Sequence, residues 1–278
     1  MDVRFRPISE FGVVPAAELL TRAFADYFIT IAFGEEGLRR MVQLDSVDFG
    51  LSSVLLVDGA PVGAALVARR GAVSRLAGMA ILPKERQRGA GRALMEHLLA
   101  AACERGEMRM VLEVIEQNTA AVKLYETMGF ERVRRLVGFV GVPPDGLNAE
   151  PALVAASASN VAHAVARMET AVGWPWQLSA ETVGQLPPPA CGYALDGAWT
   201  LVMNPAGPVI GLRALAVEGS ERREERAVRL LHAVMAKHPA KEWRFSPLWP
   251  EELSSWFSSA GLAPQEITQW QMVRDLKV

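Results

Sequence analysis

Apolar and polar positions alternate with two different periods along the first half of the chain. Residues 3–8 alternate with a period of two, and 53–57 and 62–68 are short apolar runs; all three predict strands. Asp58-Gly59 joins the last two of them and predicts a hairpin turn. Helical spacing marks 15–24 and 35–44. Strands and helices that follow one another in this way favour an α/β domain with a mixed sheet.

The next segment joins a strand to a helix through a glycine-containing loop. An apolar run over 76–82 stops at Pro83, and a helix with Leu94 and Leu98 on one face follows the loop. The first N–H groups of such a helix are unpaired and its dipole attracts anions. Since Gly89 and Gly91 lack a Cβ, a ligand could approach the main chain closely. The loop therefore favours a diphosphate, although an ordinary surface turn is the alternative and neither the P-loop nor the Rossmann spacing is present.

Two segments together resemble the GNAT superfamily of acyl-CoA-dependent N-acetyltransferases. Its Arg/Gln-x-x-Gly-x-Gly/Ala loop is matched at Arg86, Gly89 and Gly91. Its Asn-x-x-Ala-x-x-Leu-Tyr-x-x-x-Gly-Phe segment is matched at Asn118, Ala121, Leu124, Tyr125, Gly129 and Phe130. The resemblance covers roughly residues 2–140 and implies a mixed-sheet α/β fold with acetyl-CoA as the acyl donor.

The resemblance also implies which residues contact the coenzyme. They are Met79, Ala80, Ile81, Arg86, Gln87, Arg88, Gly89, Ala90, Gly91, Arg92, Asn118 and Ala121. Backbone groups of residues 79–81 are expected to position the pantetheine arm and polarise the thioester carbonyl. Arg86, Arg88 and Arg92 are expected to place mobile positive charge around the phosphates.

Tyr125 and Glu113 are the predicted catalytic residues. In the family the matching tyrosine donates a proton to the departing thiolate, and a half-buried core residue is the alternative. A phenol with a pKa of about 10 is a weaker acid than a thiol near 8.5, so we expect Tyr125 to act mainly by a hydrogen bond. Glu113 lies on an otherwise apolar strand face, and its surroundings resemble the ribosomal-protein N-terminal acetyltransferase branch, whose glutamate is a base acting through water. The alternative is a rim carboxylate that pairs with an arginine such as Arg109.

The acceptor is expected to be a primary amine on a small molecule or a peptide. In the resembling family the two helices near the N-terminus and their loop form the wall of the acceptor pocket, which makes Asp26, Tyr27 and Phe28 candidate lining residues. Core packing is the favoured alternative for Phe28. A lysine-like amine loses about 4.6 kcal/mol to protonation at pH 7, whereas an α-amine loses only about 1 kcal/mol. If Glu113 is poorly placed as a base, weakly basic acceptors become the better expectation.

The second half repeats the pattern of the first. Pro143-Pro144-Asp145-Gly146 is typical of a linker. Residues 215–219 align with 79–83 at an offset of 136, and Gly261 aligns with Gly129 at an offset of 132. The sequence therefore predicts a catalytic domain over 1–142 and a second GNAT-like domain over 151–278. The arrangement resembles that of tandem families such as mycothiol synthase. This resemblance concerns the arrangement only and implies no particular substrate.

The second copy lacks the residues that carry the chemistry. Glu225 and Ala227 stand at the positions of Gly89 and Gly91, and Phe257 stands at the position of Tyr125. Carboxylates at the start of the helix would repel a diphosphate. We therefore predict that residues 151–278 bind no coenzyme A and have a structural or acceptor-shaping role.

Composition limits the remaining possibilities. Basic and acidic residues number 29 and 31, which gives no reason to expect a nucleic-acid or membrane partner. The two cysteines and four histidines lack ligand spacing, so no metal is expected. The start of the chain does not resemble a signal peptide, which favours the cytoplasm, and the internal second copy favours a monomer. An N-acetyltransferase is the favoured function, and a non-catalytic acyl-CoA-binding sensor or scaffold is the alternative.

Overall fold

The computed structural model describes residues 2–29, 33–239 and 241–276, with the main chain alone for 169–172. The chain forms two compact units. The N-unit comprises Met1–Val133 and Trp270–Val278, and the C-unit comprises Arg134–Gln269. The boundaries of these units follow residues 133 and 269, rather than the proline-rich segment 143–146.

Strands and helices follow one another in both halves. The elements of the first half are β1 (Val3–Pro7), α1 (Ile8–Phe11), α2 (Val13–Ala23), α3 (Glu35–Asp45), β2 (Val47–Val57), β3 (Ala60–Arg70), β4 (Val73–Ile81), α4 (Ala90–Glu104), β5 (Arg109–Ile115), α5 (Thr119–Thr127) and β6 (Glu131–Gly141). Those of the second half are β7 (Val154–Ala156), α6 (Ala158–Val172), α7 (Ala180–Gly184), β8 (Cys191–Leu195), β9 (Ala198–Met203), β10 (Val209–Val217), α8 (Arg223–Lys237), β11 (Glu242–Pro250), α9 (Ser254–Ser259) and β12 (Ala263–Asp275).

The sheet of the N-unit has the strand order β1-β2-β3-β4-β5, followed by the C-terminal end of β12. The pairs from β1 to β4 are antiparallel, whereas β4 and β5 are parallel. Parallel neighbours require a crossover, which α4 supplies. The Asp58-Gly59 turn forms as predicted, with φ of 49° and 80° at its two residues. The predicted mixed-sheet α/β fold is confirmed.

The main core of the N-unit lies on the sheet face that α4 and α5 cover. Leu94 and Leu98 from α4 pack there with Val122 and Tyr125 from α5, and each is buried. Leu112 of β5 contacts this cluster from the sheet, as the alternation of its strand requires. The packing fixes α4 and α5 against the strands whose ends form the candidate site.

The C-unit repeats this arrangement with the strand order β6-β11-β10-β9-β8-β7. Its parallel pair is β10 and β11. In each unit the hairpin before the parallel pair contains an irregularity at one residue, which is Ala77 in β4 and Arg213 in β10. The numbers of these two residues differ by 136, which is the offset between the two halves of the sequence. The repeat is therefore present in the backbone as well as in the residue pattern.

Candidate active site

The site is built around a fork between β4 and β5. The two strands pair from Val73 and Arg109 as far as Leu76 and Leu112, and there the pairing ends. Beyond that point β4 continues to Ile81 while its other edge stays paired with β3. The predicted pantetheine contacts Met79, Ala80 and Ile81 thus lie on a strand whose edge toward β5 is paired with no strand of the described residues. Unpaired strand edges offer backbone donors and acceptors to an extended ligand.

The loop after β4 leads into an uncapped helix. Gln87 and Gly89 have φ of 61° and 86°, and Gly89 is the N-cap of α4 with no side-chain hydrogen bond. Among the described residues, none accepts a hydrogen bond from the backbone N–H groups of residues 87–91. A Cβ at Gly89 would meet no atom within 4 Å, whereas one at Gly91 would touch Leu124 at 3.4 Å. Gly89 is therefore needed for its backbone conformation, and the first turn of α4 offers donors to an anion.

The three arginines of this loop differ in their freedom. Arg88 contacts Glu85 at 3.2 Å and Arg92 contacts Glu96 at 3.6 Å, and both arginine side chains are more than half exposed. Exposed pairs of this kind are weak and exchange easily with an anionic ligand. Arg88 and Arg92 therefore fit the expected role of positive charge that can reach a phosphate.

Arg86 does not fit that expectation, because its side chain is already bound. Its guanidinium donates to both carboxylate oxygens of Asp26 at 2.7 Å. It also donates to the carbonyl oxygens of Ile81 and Ala23, at 3.0 and 2.8 Å. The expectation of mobile charge is wrong for Arg86, since its charge links the coenzyme loop to the segment after α2. The hydrogen bond from Arg86 is also the main reason why the pKa of Asp26 is lowered.

Three predicted site residues meet at the start of α5. Asn118 caps this helix by accepting the N–H of Ala121 at 3.2 Å. Burial raises the pKa of the Tyr27 hydroxyl, and the nearby Asn118 side chain opposes that effect. Tyr125 is 6% exposed and lies near Tyr27. Burial raises the pKa of Tyr125, and the neighbouring Tyr27 is the second cause. A candidate acceptor residue, a candidate coenzyme residue and the candidate acid are thus brought together.

Phe28 stands apart from the core. Its side chain is 48% exposed and meets the Tyr27 ring edge-on with centroids 5.4 Å apart. The core-packing alternative for Phe28 is therefore wrong. An exposed aromatic side chain next to Tyr27 is available to an acceptor.

Glu113 is buried in an ion pair. The Nε and Nη2 atoms of Arg75 lie 2.8 and 2.7 Å from its Oε2, and the two side chains are 5% and 2% exposed for Arg75 and Glu113. The alternative of a carboxylate paired with an arginine is confirmed in its pairing, but the rim position and the example Arg109 are wrong, because Glu113 is buried and Arg109 pairs with Asp275 at 2.7 Å. Arg75 was missed as a site residue, although a charged residue directly before the apolar run 76–82 was a signal for it.

The corresponding helix start in the C-unit is occupied by its own carboxylates. Glu225 is ion-paired with Arg222, which holds a φ of 51° just before α8. Glu224 accepts the hydroxyls of Ser255 and Ser259 at 2.6 and 3.1 Å. Negative charge therefore lies where a diphosphate would need donors.

Two other kinds of site were sought in the described ranges. No group of three or more His, Cys, Asp or Glu side chains within them is arranged to hold a metal ion. Each helix in those ranges falls short of the length and apolar character that a bilayer-crossing segment requires.

Comparisons with known proteins place this geometry in context. Residues 17–130 match the model of the "Acetyltransferase (GNAT) family". The [ribosomal protein bS18]-alanine N-acetyltransferase of Escherichia coli (strain K12) is 44% identical over 52 residues, which are 19% of this chain and 35% of that protein. The mycothiol acetyltransferase of Thermobispora bispora is 35% identical over 121 residues, or 41% of each protein. The chain thus covers 35% and 41% of the length of these two curated relatives.

A solved structure matches the whole chain. It is the tandem GNAT protein from the clavulanic acid biosynthesis pathway, with a TM-score of 0.67 and 16% sequence identity over 100% of this chain and 99% of that one. At this identity the likeness concerns the fold alone. Two tandem copies of one fold account for the length of this chain.

Proposed function

We propose that the chain, whose residues 17–130 match the model of the acetyltransferase (GNAT) family, is an enzyme of that family that transfers an acetyl group from acetyl-CoA to a primary amine. The acceptor is a small molecule or a peptide, and transfer is direct in a ternary complex. The observation that carries the proposal is the fork between β4 and β5, which lies next to the uncapped start of α4. A strand edge and a helix start suit the two chemically different parts of coenzyme A, its amide-containing arm and its diphosphate.

The residues present fit this donor. The N–H groups of residues 87–91 would hold the diphosphate, with Arg88 and Arg92 beside it. The edge of β4 at residues 79–81, where Arg86 already occupies the Ile81 carbonyl oxygen, would hold the pantetheine arm. Acetyl-CoA supplies a thioester, whose carbonyl carbon is open to attack by an amine. Because the side chain of Arg86 is bound to Asp26, we propose that Arg86 supports the loop and contacts coenzyme only through its main chain.

Tyr125 acts on the leaving sulfur. Burial raises the pKa of its phenol, which makes full proton transfer to a thiolate less favourable than it would be in water. We therefore assign Tyr125 a hydrogen bond to the sulfur, which becomes stronger as negative charge develops there.

The acceptor should be an amine that is weakly basic. Glu113 is only 2% exposed and is bound by Arg75, so it can reach an amine only at short range or through a water molecule. An α-amine needs less help from a base than a lysine side chain does, since it loses about 1 kcal/mol rather than about 4.6 kcal/mol to protonation at pH 7. The bS18-alanine relative acts, by its name, on alanine, which agrees with an α-amine acceptor.

The direct test is release of CoA from acetyl-CoA in the presence of a panel of amines, with α-amines and lysine analogues of matched size. We expect release with α-amines first. Coenzyme binding without release for any amine would instead favour a non-catalytic sensor or scaffold.

The loop is tested by Gly89→Glu, which places a carboxylate at the start of α4, as Glu225 does in α8. We expect coenzyme binding to be lost in calorimetry. Gly106→Glu is the matched control, because Gly106 follows the other end of α4, has φ of 71° and likewise has open space around its Cβ. Both changes place a side chain at positive φ at a cost of roughly 1–2 kcal/mol, so retained affinity in Gly89→Glu, or equal loss in both, would contradict the assignment of the loop.

A further inference from the structure

The Arg75–Glu113 ion pair lies at the point where the fork opens. Leu76 and Leu112 are the last paired residues of β4 and β5. Arg75 precedes that point and Glu113 follows it, so the ion pair connects the two strands where their hydrogen bonds end. Each residue therefore depends on the other to stay in place at the base of the fork.

The two oxygens of Glu113 are treated differently. Both Arg75 contacts, at 2.8 and 2.7 Å, go to Oε2. Oε1 is buried and has no hydrogen-bond partner within the described part of the chain. A buried carboxylate oxygen without a donor is unfavourable, so this atom requires a water molecule or a ligand donor.

The direction of Glu113 places that oxygen on the acceptor side. Its neighbours Leu112 and Val114 belong to the core cluster with α4 and α5. Because side chains alternate along a strand, Glu113 lies on the opposite face. α2 contributes no residue to that cluster and packs against β3 and β4. The segment after α2 carries Asp26, Tyr27 and Phe28, the candidate acceptor residues.

We infer that Arg75 is a positioning residue, which fixes Oε2 of Glu113. This leaves Oε1 to accept a hydrogen bond from the acceptor amine, directly or through water. The inference rests on the proposed acetyl transfer. This role differs from stabilising the strands. The guanidinium binds one oxygen of the Glu113 carboxylate and thereby sets the orientation of the carboxylate.

The experiment compares Arg75→Gln, Glu113→Gln and the double variant Arg75→Gln/Glu113→Gln. Each single variant leaves an unpaired polar or charged group buried and should lower the melting temperature, whereas the double variant removes both charges and should recover it. We expect kcat to fall roughly tenfold or more in Arg75→Gln and to stay low in the double variant. Affinity for a CoA analogue should be unchanged in all three.

Two further variants separate positioning from folding. Arg75→Lys keeps a cation and should restore part of kcat. Arg109→Gln removes the exposed pair with Asp275. Arg109 is the first residue of β5, the strand that carries Glu113, and its replacement should leave kcat unchanged. Should Arg75→Gln fail to fold, the double variant and Arg75→Lys still provide the comparison.

The outcomes distinguish this inference from the proposed function. If the wild type releases CoA and the double variant recovers kcat together with its melting temperature, Arg75 is structural and the inference is wrong while the function stands. An unchanged kcat in Arg75→Gln would lead to the same conclusion. A wild-type protein that binds coenzyme but releases no CoA with any amine would overturn both.

Discussion

Replacement of Tyr125 by phenylalanine removes one hydroxyl and little else. Tyr125 is 6% exposed and packs edge-to-face on Phe130 with ring centroids 5.9 Å apart. The ring, and therefore this packing, is retained in Tyr125→Phe. In the C-unit the matching position is Phe257, which is fully buried, so the fold accommodates phenylalanine there. We expect the melting temperature to change little.

The expected loss of turnover follows from the bond that the hydroxyl would make. A hydrogen bond to a charged group contributes about 1.5–3 kcal/mol, and a factor of ten in rate corresponds to about 1.4 kcal/mol. Turnover by Tyr125→Phe should therefore fall about tenfold to a hundredfold. Affinity for a CoA analogue should stay within about twofold, because a neutral thiol accepts only a weak hydrogen bond.

The pH dependence provides an independent check on the same residue. Burial, with a smaller contribution from Tyr27, raises the pKa of Tyr125. A raised pKa keeps an acid protonated to higher pH, so the hydroxyl remains a donor up to at least pH 10, the ordinary phenol value. If kcat of the wild type declines below about pH 10, kcat of Tyr125→Phe should decline in the same way, because ionisation of Tyr125 is not the cause.

The assay measures CoA release at saturating amine, together with calorimetric binding of a CoA analogue. Tyr193→Phe is the control, because Tyr193 is also 6% exposed but lies in the C-unit, where its hydroxyl contacts His238 at 3.0 Å. Equal losses of turnover and coenzyme affinity in Tyr125→Phe would show that the residue is structural. An unchanged turnover would refute its role at the leaving sulfur.

Two further predictions concern the loops and the second unit. Asp26→Asn removes the charge that binds Arg86. Because the Asp26 and Arg86 side chains are 52% and 40% exposed, we expect the acceptor KM to rise only about twofold to fivefold. A change in coenzyme affinity alone would contradict this. The lowered pKa of Asp26 keeps the pair charged down to below pH 3.8, so the effect should not vary near neutral pH. Calorimetry of the whole chain should give one coenzyme per chain and none in Gly89→Glu, whereas a second binding step would contradict the prediction for the C-unit.

The sequence predicted the local elements well because local signals determine them. The Asp58-Gly59 turn forms where it was predicted, and the positive φ at Gly89 agrees with a glycine placed just before a helix. Period-two alternation and glycine positions depend on neighbours in the chain, so a single sequence contains them. The same signals revealed the repeat, whose offset of 136 reappears in the two bulged strands.

Contacts between distant segments were harder to predict. Arg109 seemed a suitable partner for Glu113, but residues four apart on one strand are about 13 Å from each other. The partner is instead Arg75, which the register of the parallel strands places next to the carboxylate. The Arg86–Asp26 pair joins residues 60 positions apart. Both contacts depend on how strands and loops assemble, which the order of residues alone does not specify.

The two copies of the fold show how few side chains separate an open anion site from a closed one. Both copies contain a parallel strand pair with limited pairing, and the helix that connects its two strands starts after a residue at positive φ. In the N-unit that residue is Gly89, and the first turn has no capping side chain. In the C-unit it is Arg222, whose guanidinium binds Glu225 of the first turn. The strand arrangement is shared, but at the offset of 136 α8 begins three residues earlier than α4. The difference in expected coenzyme binding therefore comes from the residues at the helix start. Exchange of those residues, rather than of whole domains, is therefore the change that should transfer or remove affinity for the diphosphate.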